Sequence, residues 1–197
     1  FKNHPLTVLS PGVSIPLLST GEEKRRLLKA LGIPVVAEIS FTREVSLLTA
    51  RQFLTLLSRQ AGLKIKGLVV GPDFVMGHNR EGDVSMLRRL GKEMGLMVDV
   101  VQPHTIGGEV ISSTAIRRAL AAGDLHRVVS FLGRPFTLKG KVVQGHKRGR
   151  DMGFPTANIA LPAGLALPGD GVYATKARVG GKTYLSATSI GVRPTFG

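Results

Sequence analysis

A short stretch of hydroxyl-bearing residues could bind a phosphate group. Residues 111–117 read Ile-Ser-Ser-Thr-Ala-Ile-Arg, and Ser112 or Ser113 is the kind of residue that caps the start of a helix. The first helical turn presents unpaired backbone N–H groups and the positive end of the helix dipole, which favour anions. The hydroxyls of Ser112, Ser113 and Thr114 add donors, and Arg117 adds a charge one turn later. The stretch predicts either an anion site suited to a nucleotide triphosphate or a well-capped surface helix.

A basic, glycine-rich stretch is the second candidate. Gly145, Gly149 and Gly153 are spaced four apart, which lets a backbone loop approach phosphates closely, and Lys147, Arg148 and Arg150 lie among them. Thr156 and Asn158 are two apart, so on an extended chain their side chains face the same way. Hydroxyl and amide oxygens suit Mg²⁺, which takes few protein ligands beside water and phosphates. The stretch predicts a metal–phosphate site for ATP, or else a basic turn whose Thr and Asn satisfy backbone groups.

A third candidate follows the carboxyl end of a predicted buried strand at 68–70, where open α/β sheets bind ligands. Asp73, Asn79 and Arg80 lie in this loop and could contact a nucleotide or the group that accepts it. A turn built by Gly, Pro and Asn would explain the same residues without a ligand. The five histidines show no spacing typical of metal ligands.

The first two-thirds of the chain must position the first and third candidates. Capping patterns at Thr20, Thr49 and Asp83, each ahead of periodic apolar residues, predict helices. Apolar runs at 35–39, 68–70 and 97–101 predict buried strands, and further helices are expected from Ser112 or Ser113 to Ala122 and at 125–132. Strands alternating with helices predict an α/β domain with a parallel sheet over residues 1–132.

The remaining residues have a strand-like period. Loose alternation at 136–144 predicts a strand, and two further strands, at 172–179 and 182–190, are joined by Gly180-Gly181, a strong hairpin signal. We therefore predict a second, all-β domain over residues 133–197 that resembles a small barrel.

Composition limits the classes of protein further. The chain has 197 residues, a net charge of +14 and no cysteine, so a disulfide scaffold and a thiolate zinc site are excluded. No apolar run is long enough to span a membrane, and no signal-peptide pattern is visible, so the cytoplasm is the expected location. A strongly basic chain favours polyanionic partners, either nucleic acid or polyphosphates such as ATP. An aromatic content of 5% disfavours nucleic acid, whose binding grooves interleave basic and stacking aromatic residues.

Taken together, these stretches resemble the bacterial bifunctional riboflavin kinase/FMN adenylyltransferase family, also known as FAD synthetase. The resemblance runs along the whole chain and depends most on Ile-Ser-Ser-Thr-x-x-Arg at 111–117 and Gly-Phe-Pro-Thr-Ala-Asn at 153–158. Weaker matches, in order, are Phe-Lys-Asn-His-Pro at 1–5, Gly-x-Asp-Phe-x-x-Gly at 71–77, Leu-Gly-Arg-Pro-Phe at 132–136, Gly-Val-Tyr-Ala at 171–174 and Ile-Gly-Val-Arg-Pro-Thr-Phe at 190–196.

The resemblance implies a fold and two reactions. It implies a Rossmann-like nucleotidyltransferase domain over 1–132, without its first strand, and an incomplete riboflavin-kinase-like barrel over 133–197. Riboflavin would be phosphorylated by ATP to FMN, and FMN would then be adenylylated to FAD with release of pyrophosphate. The substrates would be small molecules only, with Mg²⁺ as cofactor and no membrane or nucleic-acid partner.

The same resemblance assigns roles to residues of this sequence. Mg²⁺ would be held by Thr156 and Asn158, and FMN or nucleotide would be bound by Asp73, Asn79 and Arg80. The ATP phosphates would be bound by residues of the first two stretches, namely Ser112, Ser113, Thr114, Arg117, Gly145, Gly149 and Gly153.

Two family features are missing from the sequence. The His-x-Gly-His motif of the nucleotidyltransferase and the glutamate that serves as the kinase base lie outside it, so no catalytic residue is assigned. We expect a fragment lacking both chain ends, with exposed apolar surface, poor stability and no activity of its own, derived from an active parent. The alternatives are a basic nucleic-acid-binding module and an adenylyltransferase with another phosphate acceptor, against which the kinase-like half argues.

Overall fold

The protein divides into two compact units. The computed structural model describes residues 1–10, 12–60, 64–144 and 156–191. One unit contains residues 1–15 and 33–105, and the other contains residues 16–32 and 106–197. The sequence pattern assigns residues 106–132 to the first domain. In the structure, these residues belong to the same compact unit as the residues that follow them. The domain boundary near residue 132 stays a prediction.

The secondary structure follows the predicted change from mixed to all-β. In the described residues the helices are α1 (Leu6–Leu9), α2 (Gly21–Ala30), α3 (Arg43–Ser46), α4 (Ala50–Gln60), α5 (Val84–Met94), α6 (Ser113–Ala121) and α7 (Leu125–Leu132), with a 3₁₀ turn at His78–Arg80. The strands are β1 (Gly67–Val70), β2 (Met97–Val100), β3 (Thr105–Ile106), β4 (Glu109–Val110), β5 (Lys141–Val143), β6 (Asn158–Ala160), β7 (Gly171–Val179) and β8 (Lys182–Ile190).

Side-chain caps begin α4 and α5 of the first unit where the sequence predicts them. Thr49 and Gln52 exchange two hydrogen bonds at the start of α4, from Gln52 N to Thr49 Oγ1 at 3.1 Å and from Thr49 N to Gln52 Oε1 at 2.9 Å. Asp83 Oδ1 accepts from Met86 N at 2.7 Å to start α5, and Gly95 ends that helix in a left-handed conformation. These reciprocal bonds satisfy backbone N–H groups that a helix leaves unpaired.

A small parallel sheet lies in the first unit, as predicted. Strands β1 and β2 pair in parallel, with Leu68 opposite Val98 and Val70 opposite Val100. Leu68 and Val98 pack against a core formed by α4 and α5, whose buried members are Ala50, Leu54, Leu87 and Leu90. On the other face, the side chains of Val69 and Met97 are 72% and 76% exposed.

The predicted strand at 35–39 is wrong. Those residues form no strand, and Val35 is exposed. Lys2 N donates to Ile39 O, but the neighbouring bonds come from the Asn3 side chain, whose amide bonds both the N–H and the carbonyl of Phe41. An apolar run becomes a strand only with a ladder of backbone partners, and among the described residues the bond from Lys2 N to Ile39 O does not extend into such a ladder.

The second unit contains a helical core and antiparallel hairpins. Helices α6 and α7 share a core of buried residues, namely Ala115, Ile116, Ala119, Leu120, Val128, Phe131 and Ala166. Strands β7 and β8 form the predicted hairpin, and Gly180 and Gly181 have φ of 55° and 80° at its turn. Such positive angles suit glycine because it has no Cβ.

The other strand predictions for this unit are only partly confirmed. The strand expected at 136–144 is limited to β5, which pairs with β6 in an antiparallel hairpin. In the described residues, β5–β6 and β7–β8 are separate two-stranded sheets. The barrel is therefore all-β and not closed, as predicted.

Candidate functional site

Ser112 is the residue that caps α6. Its backbone is extended, and its Oγ accepts a hydrogen bond from Ala115 N at 3.1 Å. Ser113 and Thr114 form the first turn of the helix and are exposed. The first turn therefore presents two accessible hydroxyls beside the N-terminal N–H groups, which is the arrangement that an anion requires.

Arg117 is held by a neutral partner one turn into α6. Its Nε donates to the carbonyl oxygen of Pro16 at 2.6 Å. The next residue, Arg118, bonds instead to the carboxylate of Glu109 at 3.0 Å. A guanidinium has five N–H donors, and the bond to Pro16 uses one of them without offsetting the positive charge. Arg117 thus has both charge and donors for an anion, whereas the charge of Arg118 is paired.

The loop after β1 carries the third candidate. Gly71 O accepts from Phe74 N at 3.2 Å, which makes residues 71–74 a tight turn with Asp73 exposed on it. Asn79 and Arg80 have φ of 53° and 61°. Two consecutive non-glycine residues in the left-handed region are uncommon and occur most often at functional sites. The strain at Asn79 and Arg80 therefore supports a ligand-binding role for this loop.

Neighbouring residues fasten this loop to the start of α4. His78 N donates to Leu48 O at 2.8 Å, and Glu81 Oε1 accepts from Ala50 N at 2.9 Å. Ala50 is fully buried. A Cβ added to Gly77 would lie 2.6 Å from Ala50 N, and one added to Gly82 would lie 2.8 Å from Ala50 Cβ. The glycines thus allow the close approach that the Glu81 bond secures.

We expect Glu81→Ala to lower the free energy of unfolding by about 1–2 kcal/mol, the usual contribution of a helix N-terminal cap. The carboxylate satisfies a backbone N–H of α4 that would otherwise lose its partner. Glu81→Gln keeps an acceptor oxygen at the same position and should retain most of the stability. Urea denaturation of both variants measures the difference. Equal losses in the two variants, or no loss in either, would contradict this role.

The kinase-side candidates lie at the end of the β5–β6 hairpin where β5 finishes and β6 begins. Val143, the last residue of β5, is opposite Asn158, the first residue of β6. Asn158 is half-buried, and Thr156, two residues earlier, is exposed. Their common direction stays a prediction. The remaining candidates of this stretch, Gly145, Gly149 and Gly153, lie outside the described residues.

The candidates fall into two groups. Asp73, Asn79 and Arg80 lie in the first unit, and residues 112–117 lie in the second unit with Thr156 and Asn158. Across the described ranges, no group of three or more His, Cys, Asp or Glu side chains could hold a metal ion. Thr156 and Asn158 offer a hydroxyl and an amide oxygen, the kind of hard donor that Mg²⁺ accepts beside phosphates and water.

Two carboxylates in the first turn of α2 have lowered pKa values. A hydrogen bond from Lys139 lowers the pKa of Glu22, and one from Arg26 lowers the pKa of Glu23. Charge attraction from the same cations adds to both effects. These acidic groups offset part of the positive charge of the second unit.

Sequence reasoning missed a hydroxyl cluster, the bond from Arg117 to Pro16 and the bond from Ala50 to Glu81. Thr175 Oγ1 lies 2.7 Å from both Ser186 Oγ and Thr188 Oγ1 on the half-buried face of the β7–β8 hairpin. The period-two spacing of these hydroxyls was the available signal. Glu81, which bonds Ala50, and Pro16, which bonds Arg117, carried no comparable signal because their partners are distant in sequence.

Two family models match the chain in the predicted order. The model for FAD synthetase matches residues 1–115, and the model for riboflavin kinase matches residues 132–197. The chain belongs to the FAD synthetase family. This bears out the resemblance, including its second, kinase-like part.

Relatives from several bacteria carry both activities in their names. The chain is 39% identical to the bifunctional riboflavin kinase/FMN adenylyltransferase of Escherichia coli K12, covering 99% of this chain and 62% of the relative. It is 36% identical to the enzyme of the same name from Listeria monocytogenes, and the match covers 100% of this chain and 62% of the relative. It is 35% identical to the enzyme of that name from Bacillus subtilis, and the match covers 100% of this chain and 61% of the relative. The chain thus spans less than two-thirds of these relatives.

A solved structure supports the fold. The chain superposes with a TM-score of 0.87 on a crystal structure described as a macrolide-efflux protein from Streptococcus pneumoniae, at 29% identity, covering 100% of this chain and 63% of that one. Within the described part of the chain, no helix is both long and apolar enough to cross a membrane.

Proposed function

We propose that the protein containing this chain makes FAD from riboflavin in two ATP-dependent steps. In the first step, the 5′-hydroxyl of riboflavin attacks the γ-phosphorus of ATP, giving FMN and ADP. In the second, a phosphate oxygen of FMN attacks the α-phosphorus of another ATP, giving FAD and pyrophosphate. The succession of both family models along the chain is the observation that carries the proposal.

Residues of α6 would serve the adenylyl-transfer step. Pyrophosphate is the leaving group, and negative charge builds on it as the bond to the α-phosphorus breaks. The N–H groups and hydroxyls of Ser112, Ser113 and Thr114 would receive its oxygens, and Arg117 would neutralise its charge. No protein nucleophile is required, because the FMN phosphate is itself the nucleophile.

The loop of the first unit would bind the flavin nucleotide. Asn79 offers amide donors and acceptors, and Arg80 offers a charge for the FMN phosphate. Asp73 could accept hydrogen bonds from hydroxyls of the ligand. The Glu81 bond to Ala50 N at 2.9 Å would hold Asn79 and Arg80 in their strained conformation without substrate, which lowers the ordering cost of binding.

Residues at the end of the β5–β6 hairpin where β6 begins would serve the kinase step. Thr156 and Asn158 would hold Mg²⁺, which draws charge from the ATP phosphates and makes the γ-phosphorus easier to attack. The backbone of Gly145, Gly149 and Gly153 would lie close to the phosphates. Both substrates are small soluble molecules, and we propose a cytoplasmic location for the reactions.

A product analysis tests the proposal. The full-length protein is incubated with riboflavin and ATP–Mg²⁺, and FMN and FAD are separated over time. We expect FMN to appear before FAD, and FMN supplied with ATP to give FAD and pyrophosphate directly. Absence of both products, together with salt-sensitive binding of single-stranded nucleic acid, would favour the nucleic-acid-binding alternative that the charge of +14 suggests.

A further inference from the structure

A segment matched by the riboflavin kinase model packs against α6. Ala166 is only 6% exposed and packs within the cluster formed by α6 and α7. Three residues later, Gly169 N donates to Leu120 O at 2.9 Å. A Cβ at Gly169 would lie 2.6 Å from the backbone oxygen of Ala121, so the segment lies directly against the end of α6. Residues 164–169, hereafter the clamp loop, are therefore tied to the helix that carries Arg117.

The same clamp loop also holds the partner of Arg117. Leu17 N donates to Gly164 O at 2.7 Å, and Ala166 N donates to Leu17 O at 2.8 Å. These two bonds determine where the preceding residue, Pro16, places its carbonyl oxygen. That oxygen accepts the hydrogen bond from Arg117 Nε at 2.6 Å.

We infer that the clamp loop is a positioning element for Arg117, so that adenylyl transfer depends on a segment matched by the kinase model. The inference rests on the proposed role of Arg117 in binding ATP phosphates. A guanidinium is planar, and a bond to its Nε sets the direction in which its outer N–H groups point. A shift of the clamp loop moves Leu17 and Pro16 and thereby turns the guanidinium away from the phosphates.

The test compares two glycine substitutions made two residues apart in the full-length protein. Gly169→Ala forces the clamp loop away from Ala121, whereas a Cβ at Gly171 meets only the Tyr173 ring at 3.6 Å, an ordinary contact. We expect Gly169→Ala to raise the KM for ATP in FAD formation from supplied FMN by about 3- to 10-fold, which lies in the lower part of the range of coupling between contacting residues. Gly171→Ala should leave that KM unchanged.

A double-mutant cycle separates positioning from general damage. If the clamp loop acts through Arg117, Gly169→Ala should have no further effect on the KM for ATP in an Arg117→Ala background. Equal effects in both backgrounds, or an unchanged KM in a folded Gly169→Ala protein, would overturn the inference. If Gly169→Ala does not fold, Ala166→Gly loosens the clamp loop without a clash and should give the same dependence on Arg117. A wild-type protein that forms no FAD from FMN would instead overturn the proposed function.

Discussion

Replacing Arg117 with alanine is expected to lower kcat/KM for ATP in FAD formation from FMN by about 100-fold or more, the usual loss for one charged transition-state donor. Arg117 is the cation of α6 whose hydrogen-bond partner, the Pro16 carbonyl at 2.6 Å, is neutral. Its charge is therefore available to the leaving pyrophosphate. Phosphorylation of riboflavin should be unchanged, because that step uses the other ATP site. Steady-state assays of the two steps, each with its own flavin substrate, measure the effect.

Arg118 gives a matched control on the same helix. Its side chain is 72% exposed and pairs with Glu109 at 3.0 Å, and an exposed pair of this kind contributes about 0–1 kcal/mol to stability. Arg118→Ala should therefore leave both reactions nearly unchanged. Equal losses for Arg117→Ala and Arg118→Ala would show that the helix needs positive charge in general, and the specific role of Arg117 would be wrong.

The second large effect is expected at Thr156 and Asn158. Thr156→Ala and Asn158→Ala should each lower the rate of riboflavin phosphorylation by about 100-fold. Each should also raise the Mg²⁺ concentration needed for half the maximal rate, because metal catalysis of phosphoryl transfer depends on correct placement of the ion. FAD formation from supplied FMN should be retained. Both rates are followed by separating FMN and FAD while Mg²⁺ is varied.

Two further variants show whether oxygen ligation is responsible. Thr156→Ser keeps the hydroxyl and should restore most of the rate that Thr156→Ala loses. Thr183 is an exposed threonine of β8, and Thr183→Ala should have no effect on either step. A Thr156→Ala or Asn158→Ala protein whose Mg²⁺ dependence matches the wild type would rule out a metal ligand at that position.

Local patterns predicted the helix starts and the main hairpin well. The Thr49–Gln52 box, the Asp83 cap and the Ser112 cap each depend on residues within three positions of one another. Gly180-Gly181 likewise acts within its own turn. Such features are readable from sequence because the interacting groups are neighbours along the chain.

The wrong strand prediction at 35–39 shows what a local sequence pattern cannot determine. Its apolar run is typical of a buried strand, but a strand also needs a backbone partner from elsewhere in the chain. Two residues beyond the run, the backbone of Phe41 bonds instead to the side chain of Asn3, 38 residues away. Neither the run itself nor its flanking residues contains this information.

By itself the sequence determined which chemical groups the protein has and which short elements carry them. The Ser-Ser-Thr start of α6, the oxygen-bearing side chains at Thr156 and Asn158, the apolar runs of β1 and β2 and the β7–β8 hairpin could all be predicted, since residue type and short spacing specify them. Tertiary structure alone decided which groups are held in place and by what. The Arg117–Pro16 bond spans 101 residues and the Ala50–Glu81 bond spans 31. Contacts over such distances exist only once packing has brought separate segments together, so neither spacing nor composition could predict them.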